Sequence, residues 1–231
     1  KASLTASTRQ PTNFIEEITS ERNVTRRVTS VSRLRSGDGG GDGGGDGGGG
    51  NGGDGDGGGG DGDPLAQTFF IKQGMGKGSD TIFASKIDLY FKRKSSTYGV
   101  TVELREVLNG YPSYQNVPFS RVHLTPSEVS VSDDASAVTT VTFPAPVRLD
   151  VEKEYAVVVI PDAANPDYLI FTSKVGGTDL TPGDNQGKPI VQDWGDGVLF
   201  TSTNNRAWKS YQDEDIKFNL YRHNFNVSSG T

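Results

Sequence analysis

An all-β fold, an antiparallel sandwich of jelly-roll type, is what the sequence predicts, and three observations predict it. Short apolar or alternating runs recur from residue 64 onward, turn residues separate them, and no stretch of ten or more residues keeps a helical period. About nine strands without helices point to packed antiparallel sheets closed over one core.

The predicted strands, in order, are residues 67–72, 82–92, 100–107, 128–132, 137–143, 154–160, 167–173, 198–202 and 215–225. Alternation is clearest in Ile87-Asp88-Leu89-Tyr90-Phe91, in Val100-Thr101-Val102-Glu103-Leu104 and in Ile216-Lys217-Phe218-Asn219-Leu220-Tyr221. Successive side chains of a strand point to opposite faces, so each run predicts one face for a core and one for water. The core candidates are Phe69, Leu89, Phe91, Val102, Leu104, Phe143 and Val157, with Ile216, Phe218 and Leu220 on the last strand. Between the runs stand turn signals: Asn109-Gly110-Tyr111-Pro112, Ser132-Asp133-Asp134, Pro161-Asp162, Gly176-Gly177 and residues 193–197.

Ahead of this domain, residues 64–226, lies a segment of different character. Residues 37–62 contain 19 glycines, six aspartates and one asparagine, with no apolar side chain to offset the entropy of ordering them. With Asp63 included, residues 37–63 are expected to be a flexible coil, with a root-mean-square span of roughly 28 Å over the tract. A calcium-binding β-roll also stacks Gly/Asp repeats, but it needs an aliphatic residue in every repeat, which this tract lacks. Residues 1–36 are rich in Ser, Thr, Val and Arg, with Leu4, Phe14, Ile15, Ile18, Val24, Val28, Val31 and Leu34 as large apolar residues. The spacing of Val24, Val28 and Val31 fits a helix face, whereas the Val/Thr content favours extended chain. Such a short segment is expected to dock on a partner, on its own domain or on the rest of a parent protein. The sequence begins at Lys1 without an initiator Met, which reads as a segment of something larger. Residues 227–231 read as a C-terminal tail.

The net charge of -6 divides unevenly. Residues 1–36 carry seven basic and three acidic side chains, residues 37–63 seven aspartates, and the remainder 16 basic against 19 acidic. The domain is therefore near neutral, which argues against a nucleic-acid partner. The absence of cysteine excludes disulfides, thiolate metal sites and thiol catalysis. No apolar run approaches the length of a membrane span, and no signal-peptide core is visible.

Catalytic patterns are sparse. His123 and His223 lie in strand-like contexts without an HExxH pair, so they read as ordinary strand positions. Asp213-Glu214-Asp215 offers carboxylates for calcium or acid–base work, yet its place just before a strand reads as a solvated turn. Gly74-Met75-Gly76-Lys77-Gly78-Ser79 lacks the spacing of a phosphate loop and reads as a hairpin turn. No metal or cofactor is expected. Trp194, Trp208, Tyr111, Tyr114 and Tyr211 raise a second possibility, since aromatics on sandwich loops stack sugar rings in many carbohydrate-binding modules. Trp208 reads as a core or end-plug residue. Trp194, flanked by Asp193 and by Gly195-Asp196-Gly197, reads as a subunit-contact aromatic in a polar loop, with Asp193, Asp196, Tyr111 and Tyr114 as further interface candidates.

A family resemblance rests on a series of segments. They are Asp63-Pro64-Leu65-Ala66-Gln67-Thr68-Phe69, Ser85-Lys86-Ile87-Asp88-Leu89-Tyr90-Phe91-Lys92 and Val100-Thr101-Val102-Glu103-Leu104-Arg105-Glu106-Val107 running into Asn109-Gly110-Tyr111-Pro112. Thr142-Phe143-Pro144-Ala145-Pro146-Val147, Glu154-Tyr155-Ala156-Val157-Val158 and Gly197-Val198-Leu199-Phe200-Thr201-Ser202 follow. The last are Asn205-Arg206-Ala207-Trp208 and Asp213-Glu214-Asp215-Ile216-Lys217-Phe218-Asn219-Leu220-Tyr221. Together they resemble a domain of large structural proteins of tailed bacteriophages, particularly baseplate wedge and fibre-connecting proteins of contractile-tailed, T-even-like phages and cyanophages. The resemblance spans residues 63–225. It implies a virion location, assembly with other tail or baseplate subunits, positioning of tail fibres, and no catalytic residues. The alternative is a carbohydrate- or receptor-binding module with a glycan partner.

Overall fold

The computed structural model describes residues 14–18, 30–33, 64–76, 79–162, 167–183, 186–191, 197–202 and 205–224. Among them the strands are, in order, β1 (Phe14–Ile18), β2 (Ser30–Arg33), β3 (Leu65–Ile71), β4 (Thr81–Leu89), β5 (Phe91–Arg93), β6 (Val100–Leu108), β7 (Tyr111–Asn116), β8 (Val122–Leu124), β9 (Thr139–Asp150), β10 (Lys153–Pro161), β11 (Leu169–Lys174), β12 (Leu199–Ser202), β13 (Trp208–Tyr211), β14 (Glu214–Ile216) and β15 (Phe218–Asn224). The fold is all-β, and every pairing between strands is antiparallel. No helix among the described residues is long and apolar enough to cross a membrane.

One layer of the sandwich is a sheet of order β13-β12-β3-β10-β6-β7, with β8 also paired to β6. The other combines β1-β15-β4-β9 with a smaller sheet, β14-β11-β2, in which β5 also pairs with β11. Between the layers lies one large cluster that contains Phe69, Leu89, Phe91, Val102, Leu104, Phe143, Val157, Ile216, Phe218 and Leu220. Period-two spacing explains how these residues reach one side: Val102 and Leu104 leave β6 on the same face, as Phe218 and Leu220 leave β15.

Two predicted strands are each divided where the chain changes sheets. The run 82–92 breaks at Tyr90 and the run 215–225 at Lys217. β4 and β15 pair as far as Leu89 and Phe218, then part, and β11 lies across the fork. Phe171 joins both branches, donating its N–H to Tyr90 O at 2.9 Å and accepting Lys217 N–H at 3.1 Å. The predicted strand 137–143 runs on to Asp150 through Pro144 and Pro146. The register with β4 slips between Ala84 and Lys86, leaving residues 143–146 opposite Ser85. Both prolines, which have no N–H to donate, thus fall in a bulge.

The predicted strand 128–132 is instead a 3-10 turn, Pro126–Glu128, followed by an isolated parallel bridge from Val131 to Phe91. Thr125 donates its N–H to Glu128 Oε2 at 2.8 Å, and Pro126 opens the turn, so local capping wins over strand pairing. The segment after β3 is not a hairpin, because β3 and β4 belong to different layers and both edges of β3 are taken by β10 and β12. It crosses between layers through a 3-10 turn, Gln73–Gly76, and residues 77–78 lie outside the described set.

The one-wet-face expectation fails on β4, at the break that follows it and on β6. Asp88, Tyr90, Glu103 and Arg105 are all buried. Asp88 accepts from Thr140 Oγ1 at 2.6 Å and from Tyr221 OH at 2.9 Å, so its carboxylate is satisfied by the strands on either side. Tyr90 packs with Ala135, Phe171 and Leu180 in a separate cluster, beneath the ammonium of Lys217 at 4.0 Å. Within the first 36 residues, β1 pairs with β15 and β2 with β11. Residues 23–29, where helix and extended chain were both open, lie outside the described residues, as does the Gly/Asp tract. That tract connects β2 to β3.

Gly99 enters β6 at a place where no side chain fits. A Cβ there would lie 2.5 Å from Leu124 O and 2.6 Å from His123 Nε2. The backbone is held by Asp162, whose N–H donates to Gly99 O and whose Oδ2 accepts Gly99 N–H, both at 3.0 Å. Nearby, Tyr168 OH donates to Tyr98 O at 2.7 Å, and burial pushes its phenol up to about 12. Gly99→Ala is expected to cost about 3 kcal/mol, since a backbone carbonyl cannot swing aside as a side chain does. Urea unfolding midpoints of the two proteins check this; an unchanged midpoint would mean that β8 moves freely.

Candidate functional site

The outer face of β6 carries the most unusual chemistry of the described residues. Glu103 and Arg105 are two apart on one strand, therefore on one face, and each is 1% exposed. Arg105 Nε and Nη2 both donate to Glu103 Oε1, at 2.6 and 2.5 Å, which leaves Oε2 to accept Arg121 Nη1 at 3.0 Å. Arg105 Nη1 also donates to Ser113 O at 3.2 Å. One buried carboxylate thus serves two guanidiniums, and the Arg121 side chain remains more than half exposed.

These groups form the floor of an open cleft of about 360 Å³. Tyr114, Gln115 and Asn116 of β7 line it, as do Arg121 and, from the connection between β12 and β13, Asn205. Strands β12 and β7 are separated by three others in the sheet order, yet the Tyr111 and Phe200 rings are 5.8 Å apart. Arg206 similarly lies over the Tyr114 ring at 5.2 Å. The sheet is therefore curled until its two ends meet, as right-handed twist accumulated over many strands allows. Beneath the contact a second buried cluster forms from Ala66, Ala156, Val158, Ile160 and Phe200.

Asn205 adopts φ 58°, a left-handed conformation that Asn tolerates better than most residues. It is 5% exposed, and among the described residues its Oδ1 meets no hydrogen-bond donor. A buried acceptor left in this state costs about 1–3 kcal/mol. The position thus favours any molecule that brings a donor.

The interface candidates divide. Tyr111 and Tyr114 both stand on β7 with more than half of their surface exposed. Asp193, Trp194 and Asp196 lie outside the described residues. Trp208 is on β13, packed edge-on to Phe200 at 6.5 Å, and Tyr211 packs partly against the main core. His123 is on β8, 2.7 Å from Asp162 Oδ2, while burial lowers the pKa of His223 on β15. The acidic run is not a solvated turn. Glu214 and Asp215 belong to β14; Glu214 accepts from Thr172 Oγ1 at 2.6 Å, and Asp215 is buried, accepting from Gln67 Nε2 at 2.7 Å. Only Asp213 is exposed, 3.3 Å from Lys174 Nζ. No group of three or more metal-ligating side chains occurs among the described residues.

Sequence reading passed over Glu103, Arg105, Arg121 and Asn205. The available signal was Glu-x-Arg inside a strand otherwise rich in Val and Leu, where two charges at same-face spacing invite a buried pair.

No family model and no curated protein matches the chain. Among solved structures, it is similar to the cysteine protease and lectin-like domains of Cwp84, a surface layer associated protein of Clostridium difficile. That similarity has a TM-score of 0.37 at 14% identity and covers 70% of this chain and 32% of the other, so the chain spans about a third of that structure's length.

Proposed function

We propose that the chain is a non-catalytic structural component of a bacteriophage tail or baseplate, a β-sandwich that assembles with other tail subunits and positions fibres. The observation that carries the reading is the exposed apolar tip of the β6–β7 hairpin. Leu108 and Tyr111 face each other in register there, and each is more than half exposed; Phe119, in the loop after β7, is 64% exposed. Apolar side chains left exposed on a hairpin tip and on the loop after its second strand favour docking to another subunit. The phage assignment rests on the sequence resemblance, whose segments supply β3, β4, β6, β10, β12 and β15, the framework of the sandwich. The charged residues support the same reading, since Glu103, Arg105, Asp88 and Asp215 are engaged in buried structural bonds.

Gold-labelled antibody against residues 64–224, applied to particles from the phage that encodes the chain, is expected to decorate tails in negative stain. Particles that carry the protein by mass spectrometry but show label only on the capsid would overturn the tail assignment. Absence of the protein from purified particles would overturn the virion assignment altogether.

A further inference from the structure

We propose that the cleft between β6, β7 and Asn205 is a binding site for an acidic sugar, a hydroxylated ring bearing a carboxylate. This goes beyond the assembly role, and neither reading depends on the other.

The charge balance sets the sign of the ligand. Glu103 is the carboxylate among the lining residues, and it already accepts three guanidinium N–H bonds. Against it stand Arg105 and Arg121, with Arg206 at the rim over Tyr114. Arg121 spends Nη1 on Glu103 yet keeps more than half of its side chain in solvent, so its planar fork offers donors to an incoming carboxylate. Because Glu103 and Arg105 hold one another at 1% exposure, the floor is rigid before any ligand arrives.

The neutral groups distinguish a sugar from a simple anion. Asn205 Oδ1 is a buried acceptor without a donor among the described residues, and a carboxylate or a sulfate ion has no proton to give it. A ring hydroxyl does. Gln115 and Asn116 each present a side-chain amide, and amides both donate and accept, as hydroxyls do. The Tyr114 ring is 62% exposed, with Arg206 over it, which leaves aromatic surface for the apolar side of a pyranose. The cleft's volume of about 360 Å³ suits one such unit better than an extended chain.

The test is a two-dimensional amide NMR titration of the full chain with methyl β-D-glucuronide, methyl β-D-glucoside and inorganic sulfate. Saturable shifts are expected at Tyr114, Asn116, Arg121 and Asn205 with the glucuronide, with weaker or no saturation by the glucoside. Asn205→Gly keeps the left-handed backbone while deleting the acceptor, and is expected to weaken glucuronide binding roughly tenfold without lowering the melting temperature, since the acceptor it removes is unsatisfied in the free protein. Arg121→Gln should remove the preference for glucuronide over glucoside. The proposal is overturned if the glucuronide produces no saturable shifts, if Asn205→Gly binds as the parent does, or if sulfate produces the same shifts as tightly. The last result would mark a plain oxyanion site.

Discussion

Glu103→Ala is expected to destabilise the domain by about 3–5 kcal/mol, because it strands a buried charge rather than because it deletes a favourable pair. Arg105 is 1% exposed and donates to Glu103 and to the Ser113 carbonyl. Without the carboxylate its guanidinium keeps only the carbonyl, in a place that water does not reach. The reciprocal control follows from the same physics: Arg121, more than half exposed, should lose within about 1 kcal/mol when changed to Ala. Replacing the pair together, Glu103→Leu with Arg105→Met, removes both charges and should recover most of the loss. Urea unfolding of the four proteins measures all of this. A Glu103→Ala midpoint close to that of Arg121→Ala would mean that the floor of the cleft admits water.

The strands that sequence reveals best are those whose two sides differ most. β6 and β10 alternate or run apolar over most of their nine residues, and they stand out for that reason. β8 and β13 do not, since three or four residues with little burial leave no period to read. The breaks at Tyr90 and Lys217 were invisible for a different reason. Ile87, Leu89 and Phe91 keep perfect alternation across the first break, and Ile216, Phe218 and Leu220 across the second. A strand that passes from one sheet to the next can keep its inner face throughout, so nothing local records the change of partner.

The cleft was less legible still. Alternation assigns Glu103 and Arg105 to water, and only the curl of the sheet covers them. Tyr114 and Arg206 are far apart in sequence, and they meet because twist adds up over six strands. Burial there is a property of the assembled sheet. The same holds for Asp215, whose bond to Gln67 links β14 to β3 in the opposite layer.

Phe218→Ala should cost about 3–5 kcal/mol, a substantial share of the stability of an ordinary domain. Its backbone stands opposite Leu89 at the last pair before β4 and β15 separate. Its ring lies 5.7 Å from Phe69 of β3, and Phe69 in turn lies 6.3 Å from Tyr155 of β10. The side chain therefore joins the two layers where the second one forks, and a cavity there has little chance to close: β11 crosses the fork, and hydrogen bonds from Phe171 hold both branches. Phe70 supplies the contrast. It follows Phe69 on β3 but points away from the core at 36% exposure, so Phe70→Ala should lose only about 1 kcal/mol or less. Urea titration followed by tryptophan fluorescence separates the cases, with a lowered midpoint and an unchanged slope expected for Phe218→Ala. Equal losses from Phe218→Ala and Phe70→Ala would show that the fork repacks around the missing ring, and that the layers are joined elsewhere.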